Sequence, residues 1–242
     1  MMFRRLRASI IVLTLGYLSN GLMFLLGSRR EADIILLISL IISLALASSE
    51  WSGAPALFLS GCLVGFFMEL IGIHCGIPFG EYSYLSFEGA SLWDVPIPIA
   101  LAWGFYLYTA YLASLPIVKR NWRIAFASLL MVILDMAVDP VMVERRVWTW
   151  KSGGPWFGIP LSNFLGWFVT SALALSIFEQ LTGSSHPTWR SRQVYAPYLA
   201  SFFPIMLLSG SESISAVVIS FSLAVILMVG MHKITQRALS RS

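Results

Sequence analysis

"LLMVILDMAVDPVMVERRVWTW", residues 129–150, contains an apolar run of membrane-helix character that nevertheless carries Asp135 and Asp139. A membrane-spanning helix needs roughly 20 mostly apolar residues, and residues four apart share one helical face. The two carboxyls therefore stack on one side of the helix. A charge at the bilayer centre costs about 2.5–3.5 kcal/mol on insertion scales, so two of them call for a compensating use. Pro140 follows Asp139 and loosens the local hydrogen-bond ladder, so a structural turn near the helix end is the competing reading there.

The rest of the chain has the same character. Hydrophobic residues make up 57% of the 242 and charged residues 12%, with a mean hydropathy of +0.79. This composition excludes an ordinary soluble domain and leaves room for about seven or eight spans. We expect an all-α, polytopic integral membrane helical bundle forming a single transmembrane domain over 1–242. Its helices fall near 8–27, 32–48, 54–73, 95–118, 124–143, 159–181, 195–209 and 214–231. The seventh is short and contains Pro204, so a full crossing is open there. The basic, then apolar N-terminus reads as the first span, because its run is longer than a typical signal-peptide core. Cys62 and Cys75 lack any CxxC spacing. The net charge of +4 fits basic cytoplasmic loops and does not call for nucleic acid.

Lys and Arg set orientation. With both termini cytoplasmic in the cell membrane, the inner segments hold 11 of the 16 basic residues, from Arg4, Arg5 and Arg7 through Lys119, Arg120, Arg123, Arg190 and Arg192 to Lys233, Arg237 and Arg241. Arg29, Arg30, Arg145, Arg146 and Lys151 fall outside. Two polar-aromatic loops, 74–96 and 144–158, then share the outer side. Glu69, Asp139 and Asn163 approach one bilayer half, with Asp135 about one turn deeper.

Intramembrane carboxyls are functional candidates because lipid cannot solvate them. Pairing of Asp135 or Asp139 with Arg145, Arg146 or backbone is the structural alternative, and for Glu69 it is a helix-end carboxyl reaching polar loop groups. Burial and a like-charged neighbour both favour the neutral carboxyl, so one of the aspartates can hold a proton for general-acid work. His74 reads as a loop hydrogen-bonding residue. The chain has three histidines and no H-x-x-E-H or E-x-x-H spacing, so no metal site is expected. Tyr82, Tyr84, Trp148, Trp150 and Trp156 fit an interfacial aromatic belt, whereas Trp103 and Trp167 lie inside helices, where aromatic faces can tolerate a cation. Asn163 orients either a water or a carboxyl, or bonds a neighbouring helix. Glu179 is expected to snorkel.

The motifs "PFGEYSY" (78–84), "VPIPIALAW" (95–103), "LDMAVDPVM" (134–142), "WTW" (148–150) and "FGIPLSNFLGW" (157–167) together resemble the CruF-type carotenoid biosynthesis membrane proteins. That family includes γ-carotene 1′,2′-hydratase and bisanhydrobacterioruberin hydratase. The resemblance covers roughly 60–180; "LSFEGASLWD" (85–94), with Asp94 directly before the VPIP motif, departs from the pattern and leaves the exact carotenoid open.

The resemblance implies hydration of the terminal C1–C2 double bond of an acyclic (ψ) end group, on an acyclic or monocyclic carotenoid, without cofactor. On that reading Asp135, Asp139 and Glu69 are the catalytic candidates, with Asp135 as the deeper acid and a swap of roles equally compatible. Trp103, Trp150, Trp167, Tyr82 and Asn163 are the substrate-binding candidates. The lipid bilayer and other carotenoid biosynthesis enzymes are the expected partners. A proton-coupled transporter would use intramembrane carboxyls too, but no inverted repeat is visible. A non-catalytic scaffold of a biosynthetic complex would tolerate amides at these positions.

Overall fold

The computed structural model describes residues 4–86, 90–183 and 192–239; Arg190 and Arg241 of the orientation argument lie outside them. Six helices come first: α1 (Arg4–Leu25), α2 (Arg29–Ser48), α3 (Gly53–Cys75), α4 (Ile97–Ser114), α5 (Arg120–Glu144) and α6 (Leu161–Thr182). A 3-10 turn, Arg192–Tyr195, leads into α7 (Ala196–Ala200) and α8 (Phe202–Leu208), and α9 (Ile214–Leu239) completes the chain. Seven of these are long and apolar enough to cross a membrane, and the protein is a multi-pass membrane protein. α5 is the most enclosed span and α2 the least.

Trp51, between α2 and α3, stacks on Tyr111 near the end of α4 at 6.3 Å and meets Phe178 near the end of α6 edge-on at 6.0 Å. Glu50 accepts hydrogen bonds from the Arg5 and Leu6 amides, both at 3.1 Å, and Thr235 of α9 donates to the Ile117 carbonyl. Both ends of the described chain therefore lie at this end of the bundle. The described basic residues divide between the two ends as the sequence groups them.

The segment expected as one helix over 195–209 is two short helices. Pro204 has no N–H to offer the Ala200 carbonyl, and the helix breaks at Ser201. The pair still runs from end to end. Tyr195 shares a 2.8 Å hydrogen bond with His232 of α9, Tyr198 donates to the Leu130 carbonyl at 2.7 Å, and the Leu208 carbonyl accepts from Arg145 Nε at 2.7 Å beyond the end of α5.

The turn considered at Asp139-Pro140 does not form, and α5 continues to Glu144. Pro140 cannot donate to the Met136 carbonyl, and the Trp156 indole takes its place at 3.0 Å. At this end the two long loops are tied together, an addition the sequence did not foretell. β1 (Tyr82–Tyr84) pairs antiparallel with β4 (Trp148–Trp150), setting Tyr84 opposite Trp148 and Tyr82 opposite Trp150. A tight hairpin joins β2 (Ser91–Leu92) to β3 (Val95–Pro96). Its two central residues, Trp93 and Asp94, have φ of 48° and 68°. Aspartate tolerates that left-handed backbone, which gives the unexpected Asp94 a physical role.

Candidate functional site

The helices and the β1–β4 pair bring buried polar groups together beneath the loops. Glu69 on α3 sits about 9 Å below the end of its helix and Asp139 on α5 about 8 Å, with Asp135 one turn deeper. All three carboxyls and Asn163 are buried; Asp135 is fully enclosed.

Glu69 is surrounded by donors. Its Oε1 accepts from Trp103 Nε1 at 2.9 Å, and its Oε2 accepts from the Tyr84 hydroxyl at 3.0 Å and from the Tyr82 hydroxyl. Three groups able to donate suit a carboxylate, and the Trp103 indole can only donate. Burial first, then the Glu69 charge, push both phenols well above the ordinary tyrosine range, so they remain donors. Trp103 reaches Glu69 because Gly65, one turn below it on α3, has no side chain; a Cβ there would run into the indole.

The two aspartates have a different environment. Asn163 Nδ2 donates to Asp135 Oδ2 at 2.7 Å and to Asp139 Oδ2 at 2.5 Å, and the two carboxyls also touch each other. Trp148 borders Asp139 on the same cavity. Asp135 Oδ1 meets no donor among the described residues. One amide between two adjacent buried carboxyls cannot balance two negative charges, so the pair's chemistry is that of a shared proton. Neither aspartate pairs with Arg145, which is engaged at Leu208.

A cavity of about 750 Å³ opens onto this constellation, with a mostly apolar lining. Glu69, Asp139, Asn163, Tyr82, Tyr84, Trp103, Trp148, Trp150 and Trp167 all reach it, and Asp135 does not. Trp103 and Trp167 stack with centroids 4.0 Å apart, and Trp150 lies 6.0 Å from Tyr82 while its indole donates to the Phe79 carbonyl at 3.0 Å. The cavity is a room with carboxyls on two walls and aromatic faces between them.

Tyr84 and Trp148 belong to this site, although their positions in the loops fit an interfacial belt equally well. The signal available in sequence was their alternation with Tyr82 and Trp150, which sends i and i+2 to one face of a strand. Trp156 is spent on α5 and Glu81 forms an exposed 2.8 Å ion pair with Lys151. Glu179 keeps a buried Oε1 without a hydrogen-bond partner among the described residues, at the opposite end. Among the described residues no cluster of three or more His, Cys, Asp or Glu forms a metal-binding set.

Comparison with known proteins places the chain in a family. The profile of the family described as "Carotenoid biosynthesis protein" matches residues 30–231. The chain belongs to that family. The match extends well beyond the 60–180 region carried by the motifs, into α2, α8 and α9. The chain is also similar to a bisanhydrobacterioruberin hydratase of Haloarcula japonica, 25% identical over 123 residues, 48% of this chain and 42% of that protein. It thus spans under half the length of that relative. No solved structure matches.

Proposed function

We propose that this protein is a carotenoid hydratase of the cell membrane, adding water across the terminal C1–C2 double bond of a ψ end group to give a tertiary alcohol. Family membership and the name of the Haloarcula japonica relative support the reaction class. The observation that carries the reading is the pairing of unlike carboxyls at one cavity: Glu69 amid three donors, and Asp139 held beside the buried Asp135 by the single amide of Asn163.

Hydration of a trisubstituted alkene needs an acid, a surface that tolerates a cation, and a base for the incoming water. Asp139 is the acid, since it reaches the cavity while Asp135 stands behind it and holds the proton with it. This reverses the order favoured by depth alone. The proton passes from the Asp139 carboxyl to C2, using the alkene π pair, and leaves a tertiary cation at C1. The stacked Trp103–Trp167 faces and the Glu69 charge stabilise that cation. Water attacks C1 and gives its extra proton to Glu69, while Tyr82 and Tyr84 fix the carboxylate's orientation. Return of the proton from Glu69 to the aspartate pair through water resets the site. The balance is one alkene plus one water to one alcohol, with no oxidant or reductant.

Expression of the chain in a lycopene-accumulating bacterial host tests the reaction. The expected result is a more polar pigment one water heavier, lost on Asp139→Asn. The same pigment from the Asp139→Asn protein, folded and membrane-inserted, would overturn the acid assignment. Both termini cytoplasmic, as the basic residues suggest, would place this site in the outer half of the bilayer.

A further inference from the structure

The cavity has two kinds of edge. Toward the loops its rim is polar, with Arg29, Asp33, Ser86 and Arg145. Toward the side it is apolar: Ile34 and Leu37 on α2 line it while remaining 46% and 40% exposed, and Pro98 on the first turn of α4 lines it and is exposed as well. Ile34 and Leu37 lie about 8 and 12 Å below the start of α2, the depth of the carboxyls. They stand on the least enclosed span, whose exposed residues below Asp33 are isoleucine, leucine and one alanine.

The routes above and below are closed to a long apolar molecule. Above the carboxyls only about 9 Å of bundle remains, and the β1–β4 pair with its four aromatic side chains lies over it. Below, Leu107, Tyr108 and Tyr111 are fully buried on α4. A polyene of roughly bilayer length, ~30 Å, cannot fit inside with its terminus at Glu69 and Asp139.

We propose that the cavity opens sideways into the bilayer between the first half of α2 and the start of α4, so that a long isoprenoid polyene inserts its end group there while its body stays in lipid. Water reaches the same carboxyls across the polar rim. This inference rests on the proposed hydratase reading for the identity of the occupant.

The test uses the full chain with Ile34→Trp and Leu37→Trp, which fill the side opening, and Ile41→Trp as the control. Ile41 is exposed on α2 but does not line the cavity. In an Asp139→Asn background, which leaves binding without turnover, the lycopene retained per purified protein is read by absorbance. At least a fivefold loss is expected for the two portal variants and none for Ile41→Trp. With Asp139 restored, the portal variants should lose at least tenfold in turnover of lycopene. They should retain turnover of a short, ten-carbon isoprenoid alcohol with the same terminal alkene, which needs no lipid-side opening.

Equal lycopene retention and turnover in all three variants would overturn the side opening and leave the hydratase reading standing. Selective loss of retained lycopene, with no hydrated product from the unsubstituted protein, would support the opening and overturn the hydratase reading.

Discussion

Replacing Glu69 separates the chemistry of the site from its architecture. In Glu69→Leu the indole of Trp103 and the hydroxyls of Tyr82 and Tyr84 lose their shared acceptor. Each buried donor left unpaired costs about 1–3 kcal/mol, so the three together cost at most ~3–9 kcal/mol. That is a large part of the 5–15 kcal/mol of net stability typical of a folded protein.

Glu69→Gln behaves differently. Its carbonyl oxygen can keep the Trp103 bond, while its NH₂ group turns to the two hydroxyls, which rotate to accept. Three charge-assisted bonds become neutral ones, a loss of about 1 kcal/mol each. Removal of a buried charge, whose desolvation costs several kcal/mol, offsets that loss. The glutamine variant should therefore unfold in detergent within about 2 kcal/mol of the unsubstituted protein, and the leucine variant well below it. Both should lose hydration by 10²–10⁴-fold, the usual worth of a positioned general base. A leucine variant as stable as the unsubstituted protein would refute the three-donor account. A glutamine variant with full hydration would refute the base assignment.

Asp135→Asn, measured by pigment chromatography, should lower turnover with little change in substrate KM, because that side chain acts through Asp139 and not on the cavity. Trp148→Phe removes the indole N–H that borders Asp139 on the cavity and should cost about tenfold in rate, equivalent to ~1.4 kcal/mol, with thermal unfolding little changed. Gly65→Ala should displace Trp103 and destabilise the bundle by about 1–3 kcal/mol, the usual cost of overpacking, readable by chemical denaturation. Lys151→Ala removes the fully exposed partner that holds the Glu81 carboxyl below its ordinary range. Solvent screening leaves such a pair little influence, so turnover and unfolding should stay unchanged between pH 5 and 8.

Much of this site is legible in the chain because its polar groups stand out against lipid. Asp135, Asp139 and Glu69 are conspicuous within apolar runs, and helix geometry alone puts Asp139 and Glu69 at one depth. Asn163 follows from its place two residues into α6. Harder to read is which carboxyl meets the cavity. Asp135 and Asp139 share a helical face, and only the packing of α6 and the β1–β4 pair turns one of them outward. The β1–β4 pairing joins residues more than 60 apart with no local periodicity to announce it, so Tyr84 and Trp148 look like belt residues. Pro140 and Pro204 carry the same local signal and meet different fates. The carbonyl freed by Pro140 is taken by Trp156, and the helix continues, whereas the chain breaks before Pro204.

The most direct measurement is mass spectrometry of the pigments from lycopene-accumulating cells expressing this chain, beside cells expressing its Asp139→Asn variant. The account predicts a new pigment heavier than lycopene by one water, or by two where both ends react, and its absence from the variant. Lycopene, monocyclic and longer acyclic carotenoids all left unchanged by the membrane-inserted protein would contradict it.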